Sequence, residues 1–124
     1  MTTFVVIAMV FCHIFDDYKL QQGVLANMKQ KNWWAKNASD EMYKHDYIVA
    51  LCMHSLSWSF MIQLPIAFYF GFCVDAEFVI TFVINAAVHA IVDDLKANQR
   101  RINLVIDQLI HMAQIALTAL MLLR

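Results

Sequence analysis

Three pairs of side chains in this 124-residue chain have the types and the spacing to hold a metal ion: His13 with Asp17, His89 with Asp93, and Asp107 with His111. Members of each pair stand four residues apart, which on a helix puts them on one face, a single turn from each other. Neutral imidazole with carboxylate suits zinc first, and iron or manganese as alternatives. The isolated His54 completes a candidate ligand set of His13, Asp17, His54, His89, Asp93, Asp107 and His111. These donors exceed the three or four that one zinc uses, so either two divalent ions are expected, or one ion with the spare carboxylates orienting imidazoles. Asp17, Asp93 and Lys96 are the candidates for catalysis: a free carboxylate can take a proton from water, and a lysine can steady developing negative charge. Gln21, Asn85, Asn103 and Gln108 are the amides expected to orient ligands or face a substrate, with helix capping or interfacial snorkelling as their alternative use.

The elements that must carry these residues are apolar helices. The composition is 61% hydrophobic and 15% charged, with mean hydropathy +0.56, well above the ~45–50% apolar share of an ordinary soluble domain. Two Gly and one Pro leave little turn material, and long apolar runs of helical length argue against a β-barrel, whose strands would alternate. The pattern predicts an all-α fold, a four-helix transmembrane bundle in one domain over 1–124. Its spans are expected at about 2–20, 47–72, 78–96 and 102–123. No basic residue precedes the first run and no small-residue cleavage site follows it, so it reads as a span and not as a removable signal.

Residues 21–39 shift to Lys, Asn and Gln interleaved with Val24, Leu25, Met28, Trp33 and Trp34. That mixture predicts an interfacial helix or loop at headgroup level. Ser39, followed by Asp40 and Glu41, reads as a helix N-cap ahead of the second span. Basic residues collect on one side: Lys19, Lys29, Lys31, Lys36 and Lys44 after the first span, and Lys96, Arg100 and Arg101 after the third. Only Arg124 lies on the other. By the positive-inside rule, four spans with both termini outside the cytoplasm are expected.

On that topology the candidate ligands all fall in the cytoplasmic half of the bundle, at matching depths given by the 1.5 Å rise per residue. An ionised group at the centre of a bilayer costs roughly 2.5–3.5 kcal/mol on insertion scales, so such residues need a compensating role. The net charge of −1 offers no basic face for nucleic acid. The partners expected are the lipid bilayer, with a homo-oligomer or another membrane protein as further candidates. Cys12, Cys52 and Cys73 are odd in number and lie in apolar runs, which reads as buried free thiols and not as a disulfide framework.

The succession His13-x-x-x-Asp17-Tyr-x-x-Gln21, Lys31, His54, His89-x-x-x-Asp93-x-x-Lys96 and Asp107-Gln108-x-x-His111 resembles that of the bacterial and bacteriophage membrane proteins grouped as domain-of-unknown-function family 3307. The likeness runs from about Phe11 to His111, and Tyr18 stands where the family more often has Phe. It implies the architecture, the site residues and a multi-pass location in a bacterial inner membrane. More loosely, the chain is similar to small membrane proteins labelled metal-dependent hydrolases. Two functions are therefore expected to compete. One is a metal-dependent hydrolase acting on a membrane-associated substrate. The other is a non-enzymatic, metal-stabilised membrane scaffold or interaction protein, of the kind a phage could encode.

Overall fold

The computed structural model describes residues 1–124, and every regular element in it is helical. Helix α1 (Thr2–Phe15) runs directly into a π turn, Asp16–Leu20. Two short helices follow, α2 (Val24–Met28) and α3 (Lys31–Asn37), then a 3₁₀ turn at Glu41–Tyr43. The long helices α4 (Asp46–Tyr69), α5 (Ala76–Ala97) and α6 (Leu104–Leu122) complete the chain. Three helical stretches are long and apolar enough to cross a membrane: Glu41–Tyr69, Ala76–Ala97 and Leu104–Leu122.

Burial is inverted relative to a soluble domain. More than half of the buried residues are polar, whereas Phe4, Ile7, Phe11, Val83, Leu117 and Leu120 are exposed on the outside. This is the distribution expected when lipid, not water, is the surrounding solvent. Helix α4 is the central element, packed against α1, α5 and α6, and α5 also packs on α6. Away from the polar cluster, Val5, Met9, Trp58, Ile62, Ile66, Ile115 and Ala119 form the apolar core. Side-chain hydrogen bonds also join the helices: Ser59 Oγ donates to the Phe82 carbonyl at 2.7 Å, and Asn85 Nδ2 to Thr118 Oγ1 at 2.7 Å. In an apolar surrounding such bonds substitute for the hydrophobic drive that water would supply.

Helix ends are set by local chemistry. Asp75 Oδ1 accepts from the Phe78 N–H at 2.8 Å to start α5, and Asn103 Oδ1 accepts from the Ile106 N–H at 2.9 Å to start α6. Past the end of α4, Gly71 adopts φ +61°, its N–H meeting the Phe68 carbonyl and the Phe72 N–H the Ala67 carbonyl. This left-handed cap satisfies carbonyls that the helix leaves free.

Three sequence expectations are decided here. Of the two uses expected for Asn103, the structure shows the cap: its Oδ1 accepts from the Ile106 N–H at the start of α6. Ahead of the second span the side-chain cap is Asp40 and not Ser39: it accepts from the Met42 N–H at 3.1 Å and starts the 3₁₀ turn Glu41–Tyr43, whereas α4 itself begins after His45 with no side-chain cap. The cysteines are free, but Cys52 and Cys73 are exposed and Cys12 is half-buried; an apolar outer surface gives a thiol no reason to retreat inside. Replacing Asn103 with alanine should cost about 1 kcal/mol of stability and leave metal content unchanged, which thermal unfolding and elemental analysis of the same sample would check. A loss of metal would restore Asn103 to the site.

Candidate metal centre

The site begins at the π turn. The Gln21 N–H reaches back five residues to the Asp16 carbonyl at 3.0 Å, so the chain inserts an extra residue into this turn. A wide turn of this kind is a recurrent feature of functional sites. Its effect here is to bring two consecutive carboxylates inward. Asp16 is fully buried and its Oδ1 accepts from Ser57 Oγ at 2.7 Å, with Gln21 Nε2 at 3.5 Å. Asp17, with its side chain 13% exposed, lies 3.5 Å from His13 Nδ1 and 3.6 Å from His54 Nε2. Gln21 therefore serves Asp16, and Asp16 belongs to the cluster although the four-residue register of α1 bypasses it.

Helices α4, α5 and α6 supply the remaining groups. His54 Nε2 and His89 Nε2 stand 2.9 Å apart, and His54 Nε2 is 3.0 Å from Asp93 Oδ2. The other Asp93 oxygen, Oδ1, lies 3.8 Å from both His89 Nε2 and His111 Nε2. His111 Nε2 is in turn 3.3 Å from Asp107 Oδ1. Two overlapping triads result, Asp17–His54–His89 and His89–Asp93–His111, each with its ligand atoms within 4.8 Å of one another. His89 is common to both. Asp93, a member of the second triad through Oδ1, also touches the first through Oδ2, 3.0 Å from His54 Nε2.

His13 occupies a different position from the other histidines. The Trp58 indole N–H, which can only donate, meets His13 Nδ1 at 2.7 Å. The His13 proton is then on Nε2, directed at Gln108 Oε1 at 3.1 Å. Both ring nitrogens thus have partners, and Gln108 passes the connection on by donating to Asp107 Oδ2 at 3.1 Å. Trp58 also stacks on His89, with ring centroids 4.3 Å apart, so it separates the cluster from the apolar core.

His111 is oriented from its far side. Gln114 Nε2 donates to the carbonyl and side-chain oxygens of Asn85 at 3.1 and 3.2 Å, which leaves Gln114 Oε1 to accept from His111 Nδ1 at 3.2 Å. Asn85 therefore acts through Gln114. With Nδ1 as donor, a neutral His111 presents the bare lone pair of Nε2 to the oxygens of Asp93 and Asp107. Asp17 Oδ1, Asp107 Oδ1 and His111 Nε2 are buried and have no hydrogen-bond partner. Between His111 Nε2 and Asp107 Oδ1, 3.3 Å apart, either a proton on the imidazole or a bound cation would relieve the meeting of two acceptors.

Two lysines close the outer edge. Lys29 Nζ binds Asp93 Oδ2 at 2.7 Å, and Lys96 Nζ binds Asp107 Oδ2 at 2.7 Å. Lys29 reaches the site because Asn98 at the end of α5 accepts from the Lys31 N–H at 2.7 Å and donates to the Lys29 carbonyl at 3.0 Å. Between the lysines a cavity of about 70 Å³ opens, lined by Asp17, Tyr18, Lys29, His54, Asp93, Lys96, Leu104 and Gln108. The groups that spacing alone did not mark are Asp16, Lys29, Ser57, Trp58 and Gln114. Trp58 lies four residues after His54 and Gln114 three after His111, spacings that were readable as shared helix faces; Lys29 carried no local signal.

No curated protein and no solved structure matches the chain. A family match does exist, over residues 5–124, to the family described as "Protein of unknown function (DUF3307)". Because that match takes in the whole run of His and Asp motifs from His13 to His111, the chain belongs to the DUF3307 family.

Proposed function

We propose that the protein is a membrane-embedded, metal-dependent hydrolase whose substrate is associated with the bilayer. The observation that carries this reading is the combination of unpartnered ligand atoms with an opening beside them. Asp17 Oδ1, Asp107 Oδ1 and His111 Nε2 are buried without a hydrogen-bond partner, and the cavity between Lys29 and Lys96 reaches Asp17, His54 and Asp93 from outside. Catalytic metal sites keep such an accessible position, whereas structural ones are closed.

Asp17, His54, His89, Asp93, Asp107 and His111 would hold one or two divalent ions, with zinc favoured by the mixed imidazole and carboxylate donors. His13 supports the site through Gln108. A bound divalent ion supplies an activated water and polarises a phosphoryl or carbonyl oxygen. Asp17, at the opening, is placed to accept a proton from the attacking water, and Lys96 to offset negative charge on the substrate. Asp93 touches residues of both triads, with one oxygen on His54 and the other toward His89 and His111.

In this reading α1 with its π turn is a fourth span, both termini lie outside the cytoplasm, and the site sits just inside the cytoplasmic face of a bacterial inner membrane. The eight basic residues around the 21–44 and 96–101 connections support that orientation. Helices α2 and α3, with Trp33 and Trp34, lie at the interface.

Elemental analysis of the purified protein, followed by incubation with phosphoester and carboxylester lipid pools, tests the proposal. Metal at one or two atoms per chain with turnover that an Asp17→Asn variant loses by more than about 100-fold is the expected result. Metal-free protein would leave the cation among these acceptors as a proton on His111 and end the proposal. A second reading, a metal-stapled scaffold, is favoured by the origin of the donors, which come from the π turn, α4, α5 and α6. Chelation that unfolds the bundle, in protein that turns nothing over, would select it.

A further inference from the structure

Two openings flank the same short stretch of chain. Met28, at the end of α2, lines a groove of about 480 Å³ together with Leu25, Trp34, Val49, Ala50 and Met53. The next residue, Lys29, lines the cavity over the candidate metal centre. On the π turn, Asp17 faces that cavity while Gln21 faces the groove. A predominantly apolar groove and a pocket of mixed charge, with Lys29 and Lys96 set against Asp17 and Asp93, are thus separated by one residue step along the chain.

The pocket constrains what enters it. Its volume of about 70 Å³ gives room for a tetrahedral oxyanion between the two ammonium groups. Lys29 and Lys96 are partly withdrawn from solvent, 14% and 33% exposed, and each now neutralises a candidate ligand carboxylate. A cation shared among those carboxylates would take over that neutralisation and leave both ammonium groups to an incoming anion. A terminal phosphate carries about −1.5 to −2 charge at neutral pH and three unsubstituted oxygens, which suits two lysines and a metal better than a singly charged diester does.

We infer that the lysine pocket takes the terminal phosphate of a lipid phosphate monoester, whose hydrocarbon chain lies along the groove lined by Leu25, Met28, Trp34, Val49 and Met53. This rests on the metal-centre reading and names the substrate class for it. The phosphate enters between Lys29 and Lys96, and the chain leaves on the far side of Met28.

The test uses the full chain, loaded with zinc, in phosphatidylcholine nanodiscs, with metal content measured on every sample. Phosphatidic acid, phosphatidylglycerol and inorganic phosphate are offered separately, and retention is read by native mass spectrometry and ³¹P NMR. Phosphatidic acid should be retained at least 10-fold better than the other two. Joint Lys29→Gln and Lys96→Gln substitution should weaken its retention more than 10-fold, and the groove-filling Val49→Trp several-fold, with zinc content unchanged in both. Equal retention of phosphatidylglycerol, equal binding of inorganic phosphate, or indifference to the lysine substitutions would each overturn the inference. Zinc bound without selective retention overturns the lipid assignment alone, whereas protein that holds neither zinc nor lipid overturns the metal-centre reading with it.

Discussion

A His89→Ala variant should lose metal more completely than a variant at any other single position. His89 is the one residue common to both candidate triads. Its Nε2 lies 2.9 Å from that of His54 and 3.8 Å from Asp93 Oδ1. Loss of an outer hydrogen-bond partner of a metal ligand costs 10–100-fold in affinity, so removal of a shared ligand should exceed about 100-fold. The ring is fully buried and stacked on both Trp58 and His111, at centroid separations of 4.3 and 4.2 Å. Alanine would also leave a cavity there. His89→Phe separates the two effects, because it keeps an aromatic ring between Trp58 and His111 but offers no lone pair. Both variants should be metal-poor by elemental analysis, with the phenylalanine variant keeping its helical circular dichroism and its melting temperature closer to those of the parent. Wild-type metal content in either would remove His89 from the centre. Acidification should act in the same direction reversibly, since imidazole binds metal only when neutral.

Replacing Trp58 with alanine should be the most destabilising change in the bundle. Trp58 is the largest of the fully buried side chains and belongs to the apolar core with Met9, Ile62 and Ile115. Truncations of this size in packed interiors cost about 3–5 kcal/mol. The indole also holds His13 through a 2.7 Å hydrogen bond, and without it a buried ring nitrogen has no donor. Trp58→Phe should preserve much of the packing and lose mainly that bond, about 1–2 kcal/mol. Unfolding in detergent micelles would measure both. An alanine variant within 1 kcal/mol of the parent would mean that the core does not rest on this residue. The phenylalanine variant should additionally weaken metal binding, because His13, Gln108 and Asp107 are connected in series.

Helical class, the apolar character of the long helices and most of the polar cluster were legible from residue spacing. The reason is that the helical period is local: His89 and Asp93, or Asp107 and His111, share a face wherever their helix packs. Spacing was also enough to anticipate that His54 would meet the pairs from other helices, because depth along a helix follows from counting residues. It failed at Asp16, since the π turn adds a residue and breaks the four-residue register between His13 and Gln21. It failed differently at Asn103, whose amide competes for two uses that composition cannot rank. Lys29 was legible only as positive charge on one side of the membrane.

What the chain dictated by itself is which side chains could share a helical face and how far along each helix they lie, because both follow from backbone geometry common to all helices. Which pairs actually face one another, that Asp93 touches both triads, that Trp58 commits His13 to Gln108, and that Lys29 reaches across to Asp93 were decided only by tertiary packing. Helix rotation and the path of the 21–39 segment arise from contacts summed over α1, α4, α5 and α6, and no local stretch contains that sum.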